Sequence, residues 1–147
     1  RRSSDLILNA ITILDADLKS NNIELNINYE TYEEIKVFGV KNELSQVVLS
    51  IVSNSIDELK DIKNPKIDIE ILSNSAEVII NISDNGKGIK AKNLKKIFEP
   101  YFSTKEEGTG IGLYLSKMIM EEGFSGKILV ENKKEGVRFS LFIEKIV

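Results

Sequence analysis

The order of its periodic segments constrains the fold of this 147-residue chain more than any other feature. Apolar residues recur at helical spacing over residues 5–19, 42–59 and 111–122. Alternating or continuous runs typical of strands occupy residues 23–29, 35–38, 67–72, 78–83, 126–131 and 137–143. Helices separated by pairs of strands favour a mixed sheet covered on one face over alternating βαβ units. The sequence therefore predicts an α/β two-layer sandwich.

Composition excludes several kinds of site and partner. The chain has no cysteine and no histidine, which rules out disulfides, thiolate metal sites and imidazole catalysis within it. Its 20 basic and 23 acidic residues lack the basic excess of nucleic-acid-binding proteins. The sequence shows no signal peptide, and its apolar runs are shorter than the roughly 18 residues of a membrane helix. We expect a cytoplasmic domain that itself contacts neither nucleic acid nor membrane.

The chain begins with Arg1 rather than methionine, which suggests a piece of a longer protein. Its length suits one domain with one core. We therefore expect residues 1–147 to form a single domain, with residues 1–4 as the remnant of an upstream linker.

A long polar stretch from Asp84 to Gly112 is the anomaly of the sequence. It holds five of the nine glycines and one short predicted helix at residues 94–98. Compact domains rarely carry a loop of about twenty irregular residues unless it has a function. We therefore expect most of the candidate site residues to lie in this stretch.

The first glycine run, with Asp84, Gly86, Gly88 and Ile89, directly follows a predicted strand. Its Asn-Gly pair is common in hairpin turns, so a simple turn is one interpretation. A pocket wall is the other, because glycines let the backbone approach a flat ligand. A buried carboxylate there would accept a hydrogen bond from an exocyclic amine, such as that of adenine.

The second glycine run leads directly into the last predicted helix. It comprises Gly108, Thr109, Gly110, Ile111, Gly112 and Leu113. A flexible hinge is one interpretation. A phosphate site is the other, since amide groups at a helix N-terminus converge on phosphate oxygens and the helix dipole adds to the attraction. The run matches neither the P-loop pattern nor the dinucleotide-binding fingerprint in spacing and position.

Asn54 lies on the second predicted helix, at the border of its apolar stripe. Polar residues are common at such borders without any function. An amide oxygen is also a suitable ligand for Mg²⁺, which usually keeps several waters and bridges substrate phosphates. Asn54 is therefore the candidate metal ligand.

An aromatic cluster of Phe98, Tyr101 and Phe102 stands between the two glycine runs. Such clusters usually belong to a core, but here the surrounding loop is polar, which favours a lid that becomes ordered around a ligand. Residues 90–105 also carry five lysines against one acid. Solubility is one interpretation of these lysines, and contact of one or two of them with a triphosphate is the other.

Taken together, the runs resemble the catalytic and ATP-binding domain of bacterial sensor histidine kinases, in the superfamily that includes gyrase, HSP90 and MutL. The resemblance extends over about residues 5–143. Four motifs follow the family order: an asparagine box at 49–58, a first glycine box at 84–89, a phenylalanine box at 98–105 and a second glycine box at 108–113. It implies a Bergerat-type ATP-binding fold with a mixed five-stranded sheet and helices on one face.

The resemblance also implies roles for individual residues. Asn54 would bind Mg²⁺ and would be the catalytic residue, and Asp84 would bind the adenine amine of ATP. The remaining implied nucleotide-binding residues are Asp57, Gly86, Gly88, Ile89, Phe98, Tyr101, Thr104, Lys105, Gly108, Thr109, Gly110, Ile111, Gly112 and Leu113.

Three positions depart from the family pattern. Asp57 stands where a basic or aromatic residue is frequent. Ser50 occupies the position of the glutamate that activates water in the ATP-hydrolysing members, and a serine is a poor base at neutral pH. Val137 replaces a small hydroxyl residue that often helps to hold adenine.

The implied function is transfer of the ATP γ-phosphoryl group to a histidine on a separate dimerisation domain of the same protein, with a response regulator downstream. The acceptor must lie elsewhere, since this chain has no histidine. Two alternatives stay open: an ATP-gated conformational ATPase of the gyrase or HSP90 type, and a nucleotide-sensing module without activity.

Overall fold

A computed structural model of the protein describes residues 3–29, 41–103 and 111–145. The described elements are α1 (Ser3–Ser20), β1 (Glu24–Tyr29), α2 (Lys41–Glu58), β2 (Lys66–Ser73), β3 (Glu77–Asp84), α3 (Ala91–Leu94), α4 (Gly112–Met118), β4 (Lys127–Asn132) and β5 (Val137–Glu144). The strand predicted at residues 35–38 lies outside the described residues. A π-helical turn, Ile119–Gly123, continues α4.

The five strands form one mixed sheet in the order β1-β2-β3-β5-β4. Strand β1 runs parallel to β2, and the pairs β2–β3, β3–β5 and β4–β5 are antiparallel. The parallel pair requires a crossover, and α2 lies between β1 and β2 in the chain. The predicted mixed five-stranded sheet in an α/β fold is confirmed.

The core lies between one face of the sheet and the helices. Side chains of alternate strand residues point to the same face, so alternate residues of β2 and β5 are buried, and the second half of β3 is buried on both faces. The buried residues of the core include Ile67, Ile69, Ile80, Ile82, Phe139, Leu141 and Ile143 on the strands and Val47, Val48, Ile51 and Val52 on α2. Burial of this apolar surface fixes α2 across the sheet and so fixes the polar residues at its C-terminal half.

The predicted helix over residues 111–122 is wrong at its end. Regular α-helix stops at Met118, and residues 119–123 form the π-helical turn. The amide of Gly126 donates to the carbonyl of Met120 at 2.9 Å, and Ser125 has a φ of 48°. The helix is therefore closed by a wide turn through residue 126, not by a left-handed glycine at 123.

The short helix predicted at residues 94–98 lies earlier, at Ala91–Leu94. After it, the amides of Lys96 and Glu99 donate to Asn93 and Lys96, at 2.8 and 2.9 Å, in three-residue steps. Such steps form tight turns rather than α-helix, and Pro100 has no N–H to continue a helical pattern.

Candidate functional site

A cavity of about 650 Å³ opens between α2, the end of β3, the segment after it, and the start of α4. Its size suits a small organic ligand. The lining residues are Ser50, Ser53, Asn54, Asp57, Glu58, Asp84, Ile89, Lys90, Lys92, Asn93, Ile97, Phe102, Ser103, Gly112, Leu113, Val137 and Phe139.

Six of the predicted site residues line this cavity: Asn54, Asp57, Asp84, Ile89, Gly112 and Leu113. Four other predicted residues are described but do not line it: Gly86, Gly88, Phe98 and Tyr101. Ile111, the residue before α4, does not line it either. Thr104, Lys105, Gly108, Thr109 and Gly110 lie outside the described residues.

Asp84 is a buried carboxyl group at the end of β3, with only 6% of its surface exposed. The amide of Gly86 donates a hydrogen bond to its Oδ1 at 3.0 Å. Burial raises the pKa of this carboxyl group, and the donors around it, first the Gly86 amide, oppose that rise only in part. A group so placed is suited to accept a hydrogen bond from a ligand.

Ser55 is a second buried polar residue beside Asp84. Its side chain is 1% exposed, and its hydroxyl helps to lower the pKa of the Asp84 carboxyl. The hydroxyl forms no well-aligned hydrogen bond with any described residue. Ser55 follows Val48, Ile51 and Val52 at helical spacing, within the apolar stripe of α2, yet sequence reasoning assigned it no role.

Gly136 packs against the backbone of Asp84. It has a φ of +82°, and a Cβ atom added there would overlap the Asp84 carbonyl oxygen. The following residue, Val137, lies in the cavity wall. Only glycine can adopt this φ and avoid this overlap without strain. Because Gly136 packs against Asp84 and Val137 lines the cavity, the turn between β4 and β5 is part of the site. Sequence reasoning read this turn as a simple hairpin.

Asn85 ties the start of the glycine segment to the neighbouring strand. Its Oδ1 accepts from the Lys66 amide at 2.7 Å, and its Nδ2 donates to the Asn64 carbonyl at 2.9 Å. These bonds hold the segment after β3 beside the start of β2. The first glycine run is therefore anchored to the start of β2 and is not a free hairpin turn.

One face of α2 lines the cavity with polar side chains. Ser50, Ser53, Asn54 and Asp57 follow one another at helical spacing and all line it. A Cβ atom added at Gly112 would lie 3.8 Å from the Ser50 hydroxyl, which places the start of α4 opposite this face. The carboxyl group of Asp57 is 3.7 Å from the Lys60 ammonium group, on the exposed side.

Of the three aromatic residues predicted to anchor the lid, two contact the core. Phe98 meets Phe139 edge to face, with ring centroids 6.3 Å apart, and Phe102 packs on the core. Tyr101 is 79% exposed and has a φ of 67°. This backbone conformation turns its ring away from the core that Phe98 and Phe102 contact.

Comparison with known proteins identifies the family. Residues 39–146 match the family described as histidine kinase-, DNA gyrase B- and HSP90-like ATPase. Sporulation kinase C of Bacillus subtilis is 28% identical over 130 residues, and the sensor histidine kinase ZraS of Escherichia coli K12 is 34% identical over 140 residues. These alignments cover 88% and 94% of this chain but only 30% and 29% of the relatives.

Solved structures agree with this result. The nucleotide-free catalytic domain of the histidine kinase ThkA superposes with a TM-score of 0.89 at 29% identity, over 99% of this chain and 93% of that domain. ThkA in complex with the response regulator TrrA matches with a TM-score of 0.84 at 25% identity, over 99% of this chain and 41% of that one.

The buried carboxyl group, the polar face of α2 and these similarities agree. The chain spans between 17% and 30% of the length of the curated relatives it matches. It belongs to the histidine kinase-, DNA gyrase B- and HSP90-like ATPase family, and within that family it is a catalytic, ATP-binding domain of the histidine kinase type.

Proposed function

We propose that this domain binds Mg–ATP in the cavity and transfers the γ-phosphoryl group to a histidine on a separate dimerisation domain of its parent protein. The observation that carries the proposal is that one cavity is lined both by the buried carboxyl group of Asp84 and by the polar residues Ser50, Ser53, Asn54 and Asp57 of α2. This combination suits a ligand that carries both a base and charged oxygens.

Adenine would occupy the end of the cavity at Asp84. The carboxylate would accept a hydrogen bond from the exocyclic amine, which a buried acceptor recognises strongly. Ile89, Val137 and Phe139 line the cavity with apolar surface that suits a flat base. Guanine carries a carbonyl oxygen at the equivalent ring position, so two acceptors would face each other.

Mg²⁺ would be held between Asn54 and the phosphates. Side-chain oxygens are the ligands that this ion prefers, and it usually keeps some of its waters. Clusters of three or more acidic side chains able to hold a metal are absent from the described part of the chain, which suits an ion bound jointly with the triphosphate. When bound, the ion would neutralise charge on the phosphate oxygens.

The reaction would break the bond between the γ-phosphorus and its bridging oxygen and form a bond from phosphorus to an imidazole nitrogen. ADP would leave and the imidazole would lose a proton to solvent. The described acids that line the cavity are Asp57, Glu58 and Asp84, and Ser50 stands opposite Gly112. A neutral imidazole needs little activation, so Ser50 is compatible with this acceptor and unfavourable for water as the nucleophile.

The dimerisation domain and a response regulator would be the protein partners, in the cytoplasm. The ThkA complex with the response regulator TrrA supports the second partner by analogy. Within the described residues, no helix is long and apolar enough to cross a membrane.

The experiment has a binding arm and a transfer arm. Calorimetry on this chain should show Mg-dependent ATP binding and much weaker GTP binding. The parent protein incubated with γ-labelled ATP should acquire label that acid removes, because phosphohistidine is acid-labile whereas phosphoserine survives. Equal affinity for ATP and GTP would contradict the adenine assignment, and acid-stable label would contradict the histidine acceptor.

Asn54→Ala tests the metal ligand in the same two arms. It should abolish labelling of the parent protein and remove most of the Mg²⁺ dependence of ATP binding, while metal-free affinity changes little. Asn26→Ala is the matched control, since Asn26 is exposed on β1 and bonded to Asp68. Normal labelling in the Asn54 variant would reduce Asn54 to a boundary residue.

A further inference from the structure

Asn132, the last residue of β4, joins the β4–β5 hairpin to the first glycine run. Its Oδ1 accepts a hydrogen bond from the Ile89 amide at 2.8 Å, and its Nδ2 donates to the Ile89 carbonyl at 2.6 Å. One side-chain amide thus satisfies both backbone groups of a residue 43 positions away, as a neighbouring strand would do. The sequence does not predict this pairing, because Ile89 lies in the first glycine run and Asn132 belongs to none of the motifs.

Gly88 fits against the same amide. Its φ is +83°, and a Cβ atom added there would lie 3.0 Å from the Asn132 Oδ1. The Asn132 amide therefore occupies the space that a side chain at residue 88 would need. This contact explains why a glycine stands at position 88, although Gly88 does not itself line the cavity.

We propose that Asn132 is a positioning residue that sets the Ile89 wall of the base end of the cavity, and so controls the affinity of the domain for adenine nucleotides. The inference rests on the proposed function. Asn132 would not touch the ligand; it would act through the backbone of Ile89.

The hairpin holds two parts of the base end at once. At the start of β5, Val137 lines the cavity and the preceding Gly136 packs on the Asp84 backbone. At the end of β4, Asn132 bonds to the backbone of Ile89. Asn132 and Val137 are paired across the hairpin. One hairpin therefore contacts both the residue that carries the carboxyl group, Asp84, and the apolar wall at Ile89.

Removal of the Asn132 side-chain amide would break both hydrogen bonds to the Ile89 backbone and leave the hydrophobic core unchanged. Asn132 is exposed, and Ile89 is only partly buried. The Ile89 backbone groups would bond to water instead, and the wall would sample other positions. A binding site that must be ordered by its ligand binds more weakly, because the ordering entropy is then lost on binding.

Asn132→Ala is the test variant, and calorimetry with ADP and with inorganic tripolyphosphate is the measurement. We expect ADP affinity to fall on the order of tenfold, as for loss of two neutral hydrogen bonds, with tripolyphosphate affinity unchanged. Asn132→Asp keeps the acceptor but sets an oxygen against the Ile89 carbonyl. It should bind ADP at least as weakly as Asn132→Ala.

Asn74→Ala is the matched control. Asn74 is also exposed, and its Oδ1 accepts from the amides of Ala76 and Glu77, both at 2.8 Å, in the β2–β3 turn. Residue 74 does not line the cavity. This variant should lose about as much thermal stability as Asn132→Ala and keep wild-type affinity for ADP.

The outcomes separate the inference from the function it rests on. Wild-type ADP affinity in a folded Asn132→Ala protein would overturn the inference and leave ATP binding intact. An equal loss for ADP and tripolyphosphate would assign Asn132 a general structural role and also overturn it. Failure of the wild-type chain to bind ATP or ADP would overturn the proposed function itself.

Discussion

The two segments that border the cavity differ in how they are held. Residues 85–89 are tied by side-chain amides on both sides, through Asn85 to β2 and through Asn132 to the β4–β5 hairpin. Residues 90–103 depend on apolar contacts of Ile97, Phe98 and Phe102, and α3 buries none of its residues.

We therefore expect the base end of the site to keep its geometry without a ligand and the lid side to be completed by the ligand. Fixed hydrogen bonds keep their geometry without a ligand, whereas a segment with few buried side chains has little to offset the entropy of ordering it.

Asp84→Asn should have the largest effect on binding. An asparagine can present a donor where adenine also presents one, so ATP affinity should fall by about 2–3 kcal/mol, or roughly 30- to 150-fold. Calorimetry measures the loss. Asn93→Ala, in the lid side of the cavity, is the control and should change affinity less than threefold. A larger loss of ATP affinity in Asn93→Ala than in Asp84→Asn would mean that the lid side contributes more to binding than the base end.

Gly136→Ala should have the largest effect on stability. The new Cβ would overlap the Asp84 carbonyl oxygen, and φ is +82°. We expect a loss of about 2 kcal/mol or more in the free energy of unfolding, measured with urea. Gly112→Ala is the control, because its nearest neighbour would be the Ser50 hydroxyl at 3.8 Å. It should stay within about 0.5 kcal/mol of wild type. Equal losses of unfolding free energy in the two variants would mean that the packing at Gly136 is no tighter than the packing at Gly112.

Hydrogen exchange should show a moderate change confined to the lid. With Mg–ATP, amides from residue 90 to residue 109 should gain protection of about tenfold, with less gain for ADP, because lysines find phosphate partners only in the complex. Strand β2 should change little. Equal protection with and without nucleotide would show that the lid is a fixed element and remove the contrast.

The pH dependence of stability should show the smallest effect. Burial raises the pKa of Asp84 above its ordinary value of 3.8, so the folded state binds the proton more tightly than the unfolded state. The stability that Asp84 contributes is therefore greatest at low pH and falls as pH rises from 3.8 through the folded-state pKa. Urea unfolding of wild type and Asp84→Asn across this range should show wild type losing stability relative to the variant. A constant difference would contradict the raised pKa.

Much of the site was predictable, and the reason is local. Asn54, Asp84 and Ile89 lie in short runs whose residue types suit a metal, a base and a pocket wall, and the structure brings them to one cavity. Their individual roles toward ATP and Mg²⁺ stay predictions. The end of the last helix was not predictable, since its pattern of apolar residues continues past Met118 into the π-helical turn.

Ser55, Asn132 and Gly136 were missed for a different reason. Each acts on a residue far away in the chain: Ser55 and Gly136 on Asp84, and Asn132 on Ile89. In the sequence, the first is a polar helical residue and the other two are turn residues. Pairings across 29 to 52 positions leave no periodic trace.

The α/β class, the order of the elements and the four motifs could be predicted from the sequence alone, because these depend on periodicity and on residues that are neighbours in the chain. Which groups support the motifs depends on the tertiary structure. Sheet pairing brings the β4–β5 hairpin against the segment after β3, and burial beside that hairpin raises the pKa of Asp84. Close approach and desolvation are properties of packing, and packing joins residues that the chain keeps apart.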